Sequence, residues 1–222
     1  MWFLSTVTVV VLLFGYHTST SGPGRASSAA QGHIGRARAL ATDESARLRR
    51  QDVLRIPTQV HDLGSCLALA ADLVATVNDD AAAICDPLEV RELSALRAAY
   101  GEGGEGRGIG TVERRAKGAL KALEDRQKRR RRRAVRDQLD RAIVDLIAFY
   151  RDVLVLQLAA ASDLVNDEMR PQLERVAAES TPEETLRRVD ALERTRNLLE
   201  ANVQPLLALE SLTVALKDPS LA

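Results

Sequence analysis

Aromatic side chains make up only 3% of this 222-residue chain, and it carries two cysteines, two methionines and three histidines. The cysteines, Cys66 and Cys85, have neither CxxC spacing nor companion histidines, so the sequence gives no zinc site. They are read as buried free thiols, with a disulfide as the alternative in an oxidising compartment. His17, His33 and His61 are isolated, with no serine or cysteine placed to act as a nucleophile beside them. Carboxylates alternate with arginines, as on solvated, salt-bridged helix faces. The glycine-rich stretch GEGGEGRGIG at residues 101–110 has no following Lys-Ser/Thr and no preceding strand, which excludes a P-loop. These absences remove the usual signatures of an enzyme and imply no cofactor and no metal.

The only long apolar run, WFLSTVTVVVLLFGY at residues 2–16, falls short of the roughly 20 residues a membrane-spanning helix needs. It also lacks the positive start of a signal peptide, although small residues follow it. Three readings of residues 1–30 stay open: a secretion signal or anchor, a buried strand, and a start foreign to the rest of the chain.

What is abundant is helix vocabulary. Ala, Leu, Arg and Glu dominate, residues that lose little rotamer freedom in a helix, so the fold class is all-α. Net charge is zero, but residues 107–141 hold 14 Lys/Arg against 5 Asp/Glu, and the remainder is correspondingly acidic. The sharpest local feature is Lys128, Arg129, Arg130, Arg131, Arg132 and Arg133. These cations could hold nucleic-acid phosphates or form a solvated helix turn, and no aromatics are interleaved among them for base stacking.

Local signals divide the chain into helices. A short helix covers residues 35–40, and Thr42-Asp43-Glu44 caps a second that runs toward Leu54. Pro57 opens the next, with an apolar stripe of Val60, Leu63, Leu67, Ala70, Val74 and Val77. Asp86-Pro87-Leu88-Glu89 looks like the start of a separate helix to about Tyr100. A helix from Thr111 carries the basic run and then Leu139, Ile143, Leu146, Ile147, Tyr150, Val153, Leu154 and Leu158 on one face. A shorter helix covers residues 166–179, with Pro171 near its first turn. Thr181-Pro182-Glu183-Glu184 is a capping box that opens a long helix bearing Leu186, Val189, Leu192, Leu199, Val203, Leu206, Leu209, Leu212 and Leu216. Pro205 should bend or divide that last helix. Apolar stripes on at least four helices imply a helical bundle.

Three segments, in order, resemble the C-terminal part of the delta prime subunits of the bacterial DNA polymerase III clamp loader. Gln31-Gly32-His33-Ile34-Gly35-Arg36-Ala37-Arg38-Ala39-Leu40 is similar to the Gly-x-x-Gly-Arg-Ala stretch that opens the sensor 2 helix of the AAA+ lid. AVRDQLDRAIVDLIAFYRDVLVLQ at residues 134–157, with Tyr150-Arg151-Asp152, resembles the delta prime form found in GC-rich genomes. Asn202-Val203-Gln204-Pro205 through Leu207-Ala208-Leu209-Glu210 resembles the Asn-x-x-x-x-Leu-Ala-Leu-Glu pattern that ends clamp-loader collars.

The resemblance implies a lid remnant at residues 31–56 and a helical collar-like domain at residues 57–222, behind an atypical apolar N-terminus at residues 1–30. It implies a cytoplasmic, non-catalytic subunit of a DNA-directed DNA polymerase holoenzyme. Its partners would be the delta and tau/gamma subunits, with DNA as a further contact and a membrane disfavoured. By the same resemblance Arg36 is sensor 2-like, and Asn202, Leu206, Leu209 and Glu210 lie at a subunit interface. The chain departs from the family in showing no Rossmann-like strands, no zinc-binding cysteines and no Ser-Arg-Cys motif. The expectation is a shortened version that keeps ring contacts without an arginine finger. The alternative from another class is an exported or membrane-tethered helical adaptor that binds anionic lipid or nucleic acid through its basic helix.

Overall fold

The computed structural model describes residues 34–100 and 109–221, with the side chains of Gly35, Arg36, Ala39 and residues 109–115 left out. The apolar start and most of the glycine-rich connection therefore lie outside the described residues. Helix accounts for 88% of the described residues, in seven α-helices with no strand among them. In chain order these are α1 (Ile34–Thr42), α2 (Glu44–Arg55), α3 (Leu63–Tyr100), α4 (Ile109–Gln157), α5 (Arg170–Glu179), α6 (Pro182–Glu200) and α7 (Pro205–Lys217). The all-α bundle expected from composition and periodicity is the observed architecture. No described helix is long and apolar enough to cross a membrane.

Caps set most boundaries. The Asp43 carboxylate accepts the Ser45 amide at 2.9 Å and opens α2. The Thr181–Glu184 capping box is complete at the start of α6, where two amides that lack intrahelical partners are satisfied reciprocally. Pro205 divides the last helical stretch and occupies the first turn of α7. The stop before it is a Schellman turn. Asn202 sits at φ 61°, the Val203 amide reaches back to the Leu198 carbonyl at 3.0 Å, and the Asn202 amide reaches Leu199 at 3.2 Å. The same device ends α4, with Ala159 at φ 48° and the Ala160 amide on the Val155 carbonyl at 3.0 Å.

Two sequence expectations are corrected. Pro57 falls in a 3-10 turn, Ile56–Thr58, and α3 begins only at Leu63. Asp62 accepts the Ser65 amide there at 2.7 Å and acts as the cap. The buried face of α3 is Cys66, Ala70, Val77, Ala81 and Cys85, while Leu63 and Leu67 are exposed. Second, no helix begins at Asp86: α3 runs through Pro87 without a break. An interior proline costs about 3 kcal/mol in lost hydrogen bonding and steric clash. Tertiary contacts brace this stretch, because Arg131 of α4 binds Asp86 and Glu89 on either side of the proline. Cap-like residues mark a helix start only when the chain has other business upstream; here the buried row continues through Cys85.

At 49 residues, α4 is about 73 Å long, against about 28 Å for α6, whose 19 residues follow the same 1.5 Å rise. The C-terminal half of α4 is the spine of the bundle. Residues from Asp145 to Tyr150 are all buried, so the helix is covered on every side there. It packs against α2, α3, α5 and α6, and α7 lies between α3 and α6. One core cluster joins Leu139, Ile143, Phe149 and Val153 to Leu173, Leu192, Leu209 and Leu216. Val53, Leu54 and Ile56 belong to the same cluster, so α2 packs as part of the bundle. Of the stripe expected on α4, only Leu158, just past the helix end, is exposed. The N-terminal half of α4 outruns the shorter helices and pairs with α3 as an antiparallel arm.

Candidate functional site

The basic run lies on that arm, and the structure splits it. Arg130 binds Glu92, and Arg131 binds Asp86 and, at 2.8 Å, Glu89, all on α3. Gln127 adds bonds from its amide to Glu92 at 3.2 Å and to the Glu89 carbonyl at 3.3 Å. Gln127, Arg130 and Arg131 stand three and four positions apart, on the face turned to α3. At 100° per residue, Arg126, Lys128, Arg129, Arg132 and Arg133 fall on the opposite face, and all five are exposed. None of the five forms an ion pair with another described residue. The pairs Lys128/Arg132 and Arg129/Arg133 repel each other at i,i+4 spacing, each costing about 0.2–0.5 kcal/mol.

The arm's electrostatics carry a pH signature. Hydrogen bonds from Arg130, then from Gln127, hold the Glu92 carboxyl below the usual glutamate range. A depressed carboxyl stabilises the fold fully above the ordinary value of 4.5, and that stability is lost as pH falls through the lowered folded value. Thermal denaturation followed downward from pH 4.5 should therefore decline less steeply for Glu92→Gln than for the parent chain. Parallel curves would show that the Glu92–Arg130 pair contributes nothing.

A second polar cluster lies inside the bundle. Arg50 of α2 donates to Asp145 of α4 at 3.1 Å, to Glu168 at 3.0 Å and to Asn166. Asp152, fully buried on α4, accepts from the Asn166 amide at 2.7 Å, its side chain at 2.8 Å, the Val165 amide at 3.0 Å and Arg151 at 2.8 Å. The cluster clasps α2, the centre of α4 and the segment between α4 and α5. It was missed in the sequence, where its one signal is two aspartates embedded in the apolar stripe of α4. Tyr150, beside them, is buried edge-on against Phe149 at 5.5 Å, and burial pushes its hydroxyl pKa upward.

Between α2, α3 and α4 runs an open cleft of about 1010 Å³, floored by Leu69, Leu73 and Val77 and rimmed by aspartates and arginines. The Arg49–Asp80 ion pair, 3.1 Å, spans it from α2 to α3. Among the described residues no group of three or more His, Cys, Asp or Glu is placed to hold a metal ion. His61 is exposed ahead of α3, while His17 and His33 lie outside the described residues. Cys66 and Cys85 are both buried and free, as expected, and their 19-residue separation on one helix keeps them about 28 Å apart.

The residues assigned by resemblance are scattered. Arg36 falls on α1, with its side chain outside the described residues. Asn202 is exposed at the α6–α7 turn, Leu206 and Glu210 are half-buried, and Leu209 is completely buried in the chain's own core. Leu209 thus has no surface to offer a partner. Exposed Leu198 and Leu207 flank the turn instead, at 40% and 59% exposure, the apolar surface that sequence reasoning passed over. Periodicity alone could have flagged Leu207, since it stands off the stripe of Leu206, Leu209 and Leu216. Comparison of the chain with protein-family models, curated proteins and solved structures finds no match.

Proposed function

We propose that the chain is a non-catalytic subunit of a bacterial clamp loader, acting in the cytoplasm by packing its collar-like bundle beside delta and tau/gamma subunits. The observation that carries this reading is the ordered triplet of delta prime-like motifs, at residues 31–40, 134–157 and 202–210. An all-helical bundle is the architecture such a collar requires, and the exposed pair Leu198 and Leu207 supplies apolar surface beside the third motif. Nothing in this role asks the chain for a cofactor or a reacting group.

Co-expression with cognate delta and tau/gamma subunits tests it. The tagged chain should retain both partners through size exclusion, and Leu207→Asp should release them while the fold persists. Recovery of the chain free of both partners would end the proposal.

A further inference from the structure

We infer that the outward face of the α3–α4 arm binds the phosphate backbone of duplex nucleic acid without reading its sequence. The inference does not rest on the collar reading, since it concerns a surface of this chain alone.

From residue 126 to residue 136 the helix contains no acidic side chain. Arg130 and Arg131, the members of the run nearest α3, are already neutralised by Asp86, Glu89 and Glu92. What remains is a purely cationic face of Arg126, Lys128, Arg129, Arg132 and Arg133, spanning about 10 Å of helix axis. A duplex presents one phosphate charge per roughly 1.7 Å, hence about six over that length. Four of the five cations are guanidinium forks, the geometry suited to paired phosphate oxygens.

The neighbouring chemistry favours this polyanion over others. A helix that binds a lipid surface buries an apolar face beside its cations. Residues 126–133 carry no apolar side chain, and Leu123, just before them, is 4% exposed; the arm's exposed apolar residues, Leu120 and, on α3, Ile84, Leu88 and Val90, lie outside that stretch. Base stacking on a single strand would need aromatic side chains among the cations, and residues 126–136 have none. None of the five cations forms an ion pair with another described residue, so their mutual repulsion is relieved when an external anion binds.

The test is fluorescence anisotropy of the full chain with labelled duplexes of about 20 base pairs and unrelated sequences. Binding should be equal across sequences and weaken about 500-fold between roughly 50 and 200 mM salt, for about five neutralised phosphates. The triple variant Arg129→Gln, Arg132→Gln, Arg133→Gln should lose at least about tenfold in affinity, with a salt slope shallower by about 2.7. Its melting temperature should equal or exceed that of the parent, because none of the three arginines makes an intramolecular ion pair. Absence of binding at low salt, parental affinity in the triple variant, or a lowered melting temperature would each overturn the inference. Binding to phosphatidylserine vesicles but not to duplex would overturn it in favour of a membrane surface.

Discussion

Asp152→Ala should destabilise the protein by about 3–5 kcal/mol, measured as a drop in the denaturant midpoint at unchanged slope. The carboxylate is fully buried and accepts four hydrogen bonds, three of them from the amides of Val165 and Asn166 and the Asn166 side chain. Removing it strands buried donors, each costing about 1–3 kcal/mol before the site relaxes. Arg151 is partly protected, because it also donates to the Asp163 carbonyl at 2.7 Å. Asp152→Asn keeps one acceptor and the shape, so a smaller loss of about 1–2 kcal/mol is expected. A midpoint unchanged by Asp152→Ala would mean that the clasp does not hold the segment between α4 and α5.

Leu209→Ala should cost about 2–5 kcal/mol, and Leu207→Ala less than about 0.5 kcal/mol. The two residues are neighbours in one motif, but Leu209 is completely buried in the core cluster whereas Leu207 is 59% exposed. Truncating Leu209 removes transferred apolar surface and leaves a cavity in a packed core. Truncating Leu207 removes atoms that water already reaches. Equal effects on stability would place Leu207 in the core. In the partner assay, Leu209→Ala should weaken association only as far as it unfolds the chain, and Leu207→Asp should act without unfolding it.

These contrasts show where a linear motif and a folded surface part company. The resemblance places Asn202 at a subunit interface, while local signals make Pro205 a helix break. In the fold, Asn202 adopts the left-handed conformation that ends α6, and Pro205 starts α7. Asparagine tolerates positive φ better than most residues, so a local backbone role accounts for it without a partner.

The helical class, the caps at Asp43 and Thr181, the division at Pro205 and the buried stripe from Leu139 to Leu154 are all legible along the chain. Each of these depends on interactions within a few residues or on a 3.6-residue period, and both are written along the chain. Helix packing is what carries α3 through Pro87, neutralises Arg130 and Arg131 but not Arg129, Arg132 and Arg133, and makes Asp152 a buried clasp. Those outcomes depend on groups 38 to 45 positions away for the arginines and on a loop folding back for Asp152. Contacts of that range are set by how whole helices pack, so the same residue types, adjacent in sequence, end in opposite environments.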